Sequence, residues 1–106
     1  MDQQKKTLID PKDKTFQLSG STKPRTAVFI SKIFLKKFDE VEIHALGDAI
    51  SGAVRCAETL SRQGLATIQK VETLTQTLEK GKKPKIIVSL RVTQDGKKRI
   101  NEEIKQ

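Results

Sequence analysis

The chain has 106 residues, 35% hydrophobic and 32% charged, with a formal net charge of +8 and a pI near 9.8. That length suits one domain and excludes two, and burying about 60–70% of the unfolded surface allows a single modest core. The positive excess favours a polyanionic partner through general attraction and counterion release.

One cysteine rules out an internal disulfide and fits a reducing compartment. No apolar run approaches the ~18–20 residues needed to span a bilayer. No apolar signal core follows Met1–Lys6. The expectation is a protein of the nucleus or cytoplasm, not secreted, with no membrane partner and no small-molecule substrate.

Residues 1–14 are polar and aperiodic, which predicts a flexible N-terminal arm. Thr15 to Ser19 alternates weakly through Phe16 and Leu18 and reads as a first strand. Gly20 to Lys23 is a loop. Pro24 then suits a first helical position, where its missing N–H is no loss, with Thr22 or Lys23 near the cap. The helix runs to Phe38 on a stripe of Ala27, Ile30, Phe34 and Phe38, with Val28 and Ile33 beside it. Lys32, Lys36 and Lys37 sit largely off that stripe.

Asp39-Glu40 turns the chain into a strand reaching about Ala45. A second helix spans Leu46 to Gln63 on Leu46, Ala49, Ile50, Ala53, Val54, Ala57 and Leu60, with Gly64 placed to end it. Leu65 to Leu78 is a long Thr- and Val-rich strand, Glu79 to Pro84 a hairpin tip, and Lys85 to Val92 the returning strand. Asp95-Gly96 reads as a turn and Asn101 to Gln106 as a frayed helical turn.

The order β-α-β-α-β-β defines an α+β two-layer sandwich: a four-stranded mixed sheet, two helices on one face, and a long C-terminal hairpin arm. The domain spans residues 15–93, with a tail over 94–106.

No catalytic or metal site stands out, and no cofactor is implied. A metal needs three or four ligands at usable spacing, and imidazole and thiolate donors are nearly absent. His44 and Cys56 read as strand-end and packing residues. Gly47 and Gly52 lack the further glycines and trailing acid of a dinucleotide loop.

The charge is unevenly placed: +3 over residues 1–25, 0 over 26–64, +4 over 65–92 and +1 over 93–106. A neutral helical body thus carries two basic protrusions. Lys80, Lys82, Lys83 and Lys85 at the hairpin would meet phosphates as flexible point charges. Lys23 and Arg25 flank Pro24 at the other cluster. Phe16, Phe29, Phe34 and Phe38 all read as core, so binding is expected to be electrostatic with little base readout.

Val41-Glu42-Ile43-His44-Ala45-Leu46-Gly47-Asp48-Ala49-Ile50-Ser51-Gly52-Ala53-Val54 resembles the central signature of the Alba family of DNA- and RNA-binding proteins. Phe16 to Pro24, Ala57 to Ala66, Lys70 to Thr73 and Pro84 to Ile86 extend the resemblance in order across about residues 15–92. It implies non-catalytic binding of RNA and/or DNA, with roles in transcript regulation or chromatin. It assigns backbone contact to Lys23 of the Lys-Lys-Pro loop, with Thr22 at the first lysine position, and to the hairpin arm.

It also implies a homodimer, or a heterodimer with another Alba-like protein. The small residues Ala49, Ser51, Gly52 and Ala53 suit close packing there. Leu46 and Asp48 replace two archaeal arginines, Gly64 replaces an archaeal aromatic, and Val28-Phe29 replaces a Tyr-Val pair. These departures resemble eukaryotic members. The alternative is a subunit whose partner supplies most RNA contact within a ribonucleoprotein such as ribonuclease P or MRP.

Overall fold

The computed structural model describes residues 11–104. In chain order it contains β1 (Thr15–Leu18), α1 (Pro24–Phe38), β2 (Glu40–Leu46), a single 3-10 turn (Gly47–Ala49), α2 (Ile50–Arg62), β3 (Ala66–Leu78), β4 (Gly81–Val92) and α3 (Gln94–Glu103).

The strands form one sheet in the order β1-β2-β4-β3. β1 and β2 are parallel, as strands joined through a crossover helix must be, while β2–β4 and β3–β4 are antiparallel. Val41, Ile43 and Ala45 of β2 are buried, as are Ile86, Val88 and Leu90 of β4, and the residues between them are not. That period of two marks a sheet packed on one face and open on the other. Leu35, Leu60 and Ile100 from the three helices close the core over it. Phe16 stacks on Phe34 at 5.5 Å between centroids, and Phe38 tilts against Phe34 at 6.4 Å.

α1 has the predicted bounds, with Pro24 in its first turn. It stops where Asp39 adopts φ 67°, its N–H bonded to the Leu35 carbonyl. Such a left-handed residue satisfies an otherwise orphaned carbonyl. Gly64 plays the corresponding part after α2 at φ 76°.

Five expectations need revision. The C-terminal tail holds a ten-residue helix, α3, that begins at Gln94 rather than near Asn101, and Asp95-Gly96 is its first turn. Ile100 and Ile104 are fully inside the core, so α3 belongs to the domain. The second helix starts at Ile50, because Leu46 still pairs with Lys85 and Gly47 to Ala49 form the 3-10 turn.

The hairpin tip is shorter than Glu79 to Pro84. Pairing runs to Leu78 opposite Gly81, leaving only Glu79-Lys80 to turn. Phe29 is 41% exposed rather than in the core. Of the expected N-terminal arm, residues 1–10 lie outside the described residues, whereas 11–14 are anchored. Pro11 is buried, its carbonyl accepts from Lys37 Nζ at 2.8 Å, and the Lys14 carbonyl accepts from the Glu42 N–H at 2.8 Å.

Candidate nucleic-acid interface

The structure sorts the basic residues into two groups. Across the body, cations are neutralised by neighbouring acids. Lys14 bonds Glu40 at 2.9 Å, Lys32 holds Glu103 at 3.0 Å, and Lys70 holds Glu72 at 3.0 Å. Arg91 pairs with Glu40 and Lys97 with Asp39. Arg62 and Arg99 pair one helical turn back with Glu58 and Asp95 at 3.1 and 3.3 Å. The hydrogen bond between Lys14 and Glu40 raises the lysine pKa and lowers that of the carboxylate.

By contrast, the side chains of Lys23, Arg25, Lys80, Lys82, Lys83 and Lys85 make no ion pair or hydrogen bond with another described residue. Arg55 belongs with them, as do the outlying Lys12 and Lys98. Six of these nine are therefore the cations that the sequence pattern singles out.

Geometry brings the two clusters together. β2 ends at Leu46, opposite Lys85, so residues 75–84 continue past it as a two-stranded ribbon. Pro84 lies on this overhang, where no β2 partner needs its missing N–H. Alternation splits the lysines. Lys83 and Lys85 share the open face of the sheet with His44 and Leu46, Lys82 faces the helix side, and Lys80 sits in the turn.

At the ribbon's base the Lys83 stem passes Gly47: a Cβ there would lie 3.5 Å from Lys83 Cδ. Gly47 holds φ 51°, which favours glycine. The next residue, Asp48, abuts Gly20, and Ser19, Thr22, Pro24, Ser51 and Arg55 line the adjoining pocket. The base of the ribbon at Lys83 thus lies near the loop that leads through Lys23 into α1, some sixty positions away in sequence. Arg55 was missed by sequence reasoning because a lone basic residue on a neutral helix gives no cluster signal. Asp48 sits within the basic region as an acid without an ion-pair partner.

Thr22 is half-buried, with its backbone N–H bonded to the Ser19 carbonyl at 3.1 Å. The small residues expected at a dimer contact divide. Ala49 and Ala53 lie in the protomer's own core, and only Ser51 and Gly52 face outward. A different surface is uncovered on the helix side. Val54 of α2 is 49% exposed, and Ile68 and Val71 of β3 are 39% and 54% exposed. They line an apolar groove with Ala57, Ile86 and Val88, rimmed by Glu58 and Arg62. A bulge between Ile68 and Lys70 creates it, by shifting the alternation so that Val71 shares a face with Ile68.

The one Cys–His pair the sequence allows is not assembled. His44 projects from the open face and bonds Glu42 Oε1 at 3.2 Å, while Cys56 points from α2 into the core, 3.3 Å from Ser31 Oγ. Burial pushes the Cys56 thiol pKa up, partly offset by its bond to Ser31. Among the described residues no cluster of three His, Cys, Asp or Glu side chains could hold a metal.

A small sheet-and-helix domain with a basic ribbon beside a basic helix-start loop is an architecture for gripping a polyanion. The Alba family model matches residues 14–78, and the chain belongs to the Alba family. ALBA1 from Trypanosoma brucei, a crystal structure, superposes with a TM-score of 0.74 at 28% identity, over 89% of this chain and 81% of that one. Alba from Thermoplasma volcanium shares the fold at a TM-score of 0.58 and 21% identity, over 73% of this chain and 98% of that one. Comparison with curated proteins finds no match.

Proposed function

We propose that this protein binds RNA or DNA through backbone phosphates, without catalysis and with little sequence readout. The observation that carries this reading is the sorting of cations. Acids satisfy most of the lysines and arginines of the body, while every lysine of the hairpin ribbon and both cations flanking Pro24 have side chains free of ion pairs. Membership of a family that is generally nucleic-acid-binding supports it. Lys23, Arg25, Lys80, Lys82, Lys83 and Lys85 contact phosphates, Thr22 shapes the loop, and Arg55 adds a cation the sequence did not flag.

The working form in this reading is a dimer closed over the apolar groove of Val54, Ile68 and Val71, with a second copy or another Alba-like chain. Two ribbons then grip one nucleic acid. The setting is transcript regulation or chromatin, in cytoplasm or nucleus.

The test is a salt titration of binding to a mixed-sequence RNA and a duplex DNA of equal length. Affinity should fall with a log–log slope of about 0.7–0.9 per phosphate contacted. The Lys80→Ala, Lys82→Ala, Lys83→Ala triple variant should flatten that slope by roughly two units with its Tm unchanged. Salt-insensitive binding, or a triple variant that binds normally, overturns the reading. The ratio of RNA to DNA affinity selects between transcript and chromatin roles.

A further inference from the structure

Phe29 is the one aromatic side chain of this chain left substantially in solvent. Phe16 and Phe34 are buried and stacked, and Phe38 is packed against them, while Phe29 is 41% exposed. It lies one helical turn after Arg25 on α1, so the two side chains neighbour each other on the helix surface. They line a groove of about 430 Å³ together with Pro24, Val28 and the outer end of α2 at Gln63. The Lys32–Glu103 ion pair closes the far end with no net charge. Pro24 also lines the pocket on its other side, with Thr22 and Arg55, so the two adjoin at Pro24.

We propose that Phe29 is a stacking platform for an unpaired nucleobase, with Arg25 holding the adjoining phosphate. The inference rests on the phosphate-binding reading above and adds to it a preference for single strands over duplex. Two features favour a base over a protein partner. The exposed ring stands next to a cation free of ion pairs, a pairing suited to a base and its own phosphate. It also lies on α1 beside the residues flanking Pro24 rather than within the apolar groove of β3 and α2. A duplex keeps its bases stacked on one another and offers no face to Phe29, so the contact discriminates strandedness rather than sequence.

Wild type, Phe29→Ala, Phe29→Leu and Phe29→Trp should be titrated with a twelve-nucleotide single-stranded RNA and with its duplex, after melting curves confirm each fold. Phe29→Ala should weaken single-strand binding roughly 10-fold or more, the range of one lost base stack, with duplex affinity and salt slope unchanged. Phe29→Leu should fail equally, since it keeps apolar bulk without a π face. Phe29→Trp should retain affinity, and its emission, the only tryptophan signal in the chain, should change with single strand and not with duplex.

Equal weakening on both RNAs, rescue by Leu, or no effect of Ala would overturn stacking while leaving phosphate binding intact. RNA binding unaffected alongside a smaller particle in light scattering would assign Phe29 to a protein contact and overturn it as well. A wild type that binds neither RNA would overturn this inference, and one that also fails to bind duplex DNA would overturn the phosphate-binding reading with it.

Discussion

At the residue scale, Gly96 shows how one atom can decide a position. It is the third residue of α3, and a Cβ there would collide with the Leu65 carbonyl, approaching its carbon to 2.7 Å. Helix propensity alone would make alanine better than glycine by about 1 kcal/mol. The clash is with backbone and outweighs it, so Gly96→Ala should destabilise by about 2 kcal/mol or more, read as a Tm lowered by roughly 10 °C. Its neighbour Thr93 caps the same helix. The Gly96 N–H donates to Thr93 Oγ1 at 2.8 Å, and that hydroxyl donates to the Gly64 carbonyl at 2.8 Å. Thr93→Ala should cost about 1 kcal/mol in denaturant unfolding.

Cys56 offers a pH test at the same scale. Burial raises its folded pKa above the unfolded value, so the native state favours the neutral thiol. That contribution is complete below the unfolded pKa and is lost as pH rises through the folded one. Native protein at pH 8 should therefore react with a thiol reagent far more slowly than protein unfolded in denaturant, and equal rates would contradict the burial.

At the scale of elements, the ribbon of β3 and β4 and the helix α3 behave oppositely under sequence reading. The ribbon was legible because Ile86, Val88, Leu90 and Val92 alternate strictly and Glu79 to Pro84 is rich in turn and charged residues. Its turn was overextended, since lysines and a proline in a paired overhang read as loop. α3 was largely missed because Thr93 to Glu103 is short and polar, with apolar anchors only at Ile100 and beyond it at Ile104. Its stability comes from docking. Lys97 reaches Asp39 and the Lys36 carbonyl, and Lys36 Nζ donates to the Ile104 carbonyl at 2.7 Å. Short helices gain most of their stability from such packing rather than from propensity.

At the scale of the whole molecule, the helix-side groove is the feature that a single chain leaves unresolved. Val54, Ile68 and Val71 together present a contiguous apolar surface of the kind that marks an interaction site. Val71→Asp should convert an associated protein to monomers in light scattering with the fold intact by circular dichroism. If the dimer proposed above forms, nucleic-acid affinity should fall with it, because one ribbon would then grip in place of two. A wild type that is already monomeric would point to a different Alba-like chain as the partner in this groove.

The division between chain and fold follows from the range of each interaction. Local periodicity determined both main helices, the four strands and the paired basic clusters, because amphipathic repeats and charge runs are written in consecutive residues. Thr22 and Lys23 were legible as a loop, and Arg25 as the start of the helix after it, for the same reason. Only the tertiary structure decided which cations are free, since Glu40, Glu103 and Asp39 neutralise lysines and an arginine distant in sequence. It also decided that Phe29 faces out although its neighbour Phe34 faces in, and that a bulge turns Val71 into the apolar groove. Those outcomes depend on register and packing between segments brought together in the fold, and nothing within any one segment encodes them.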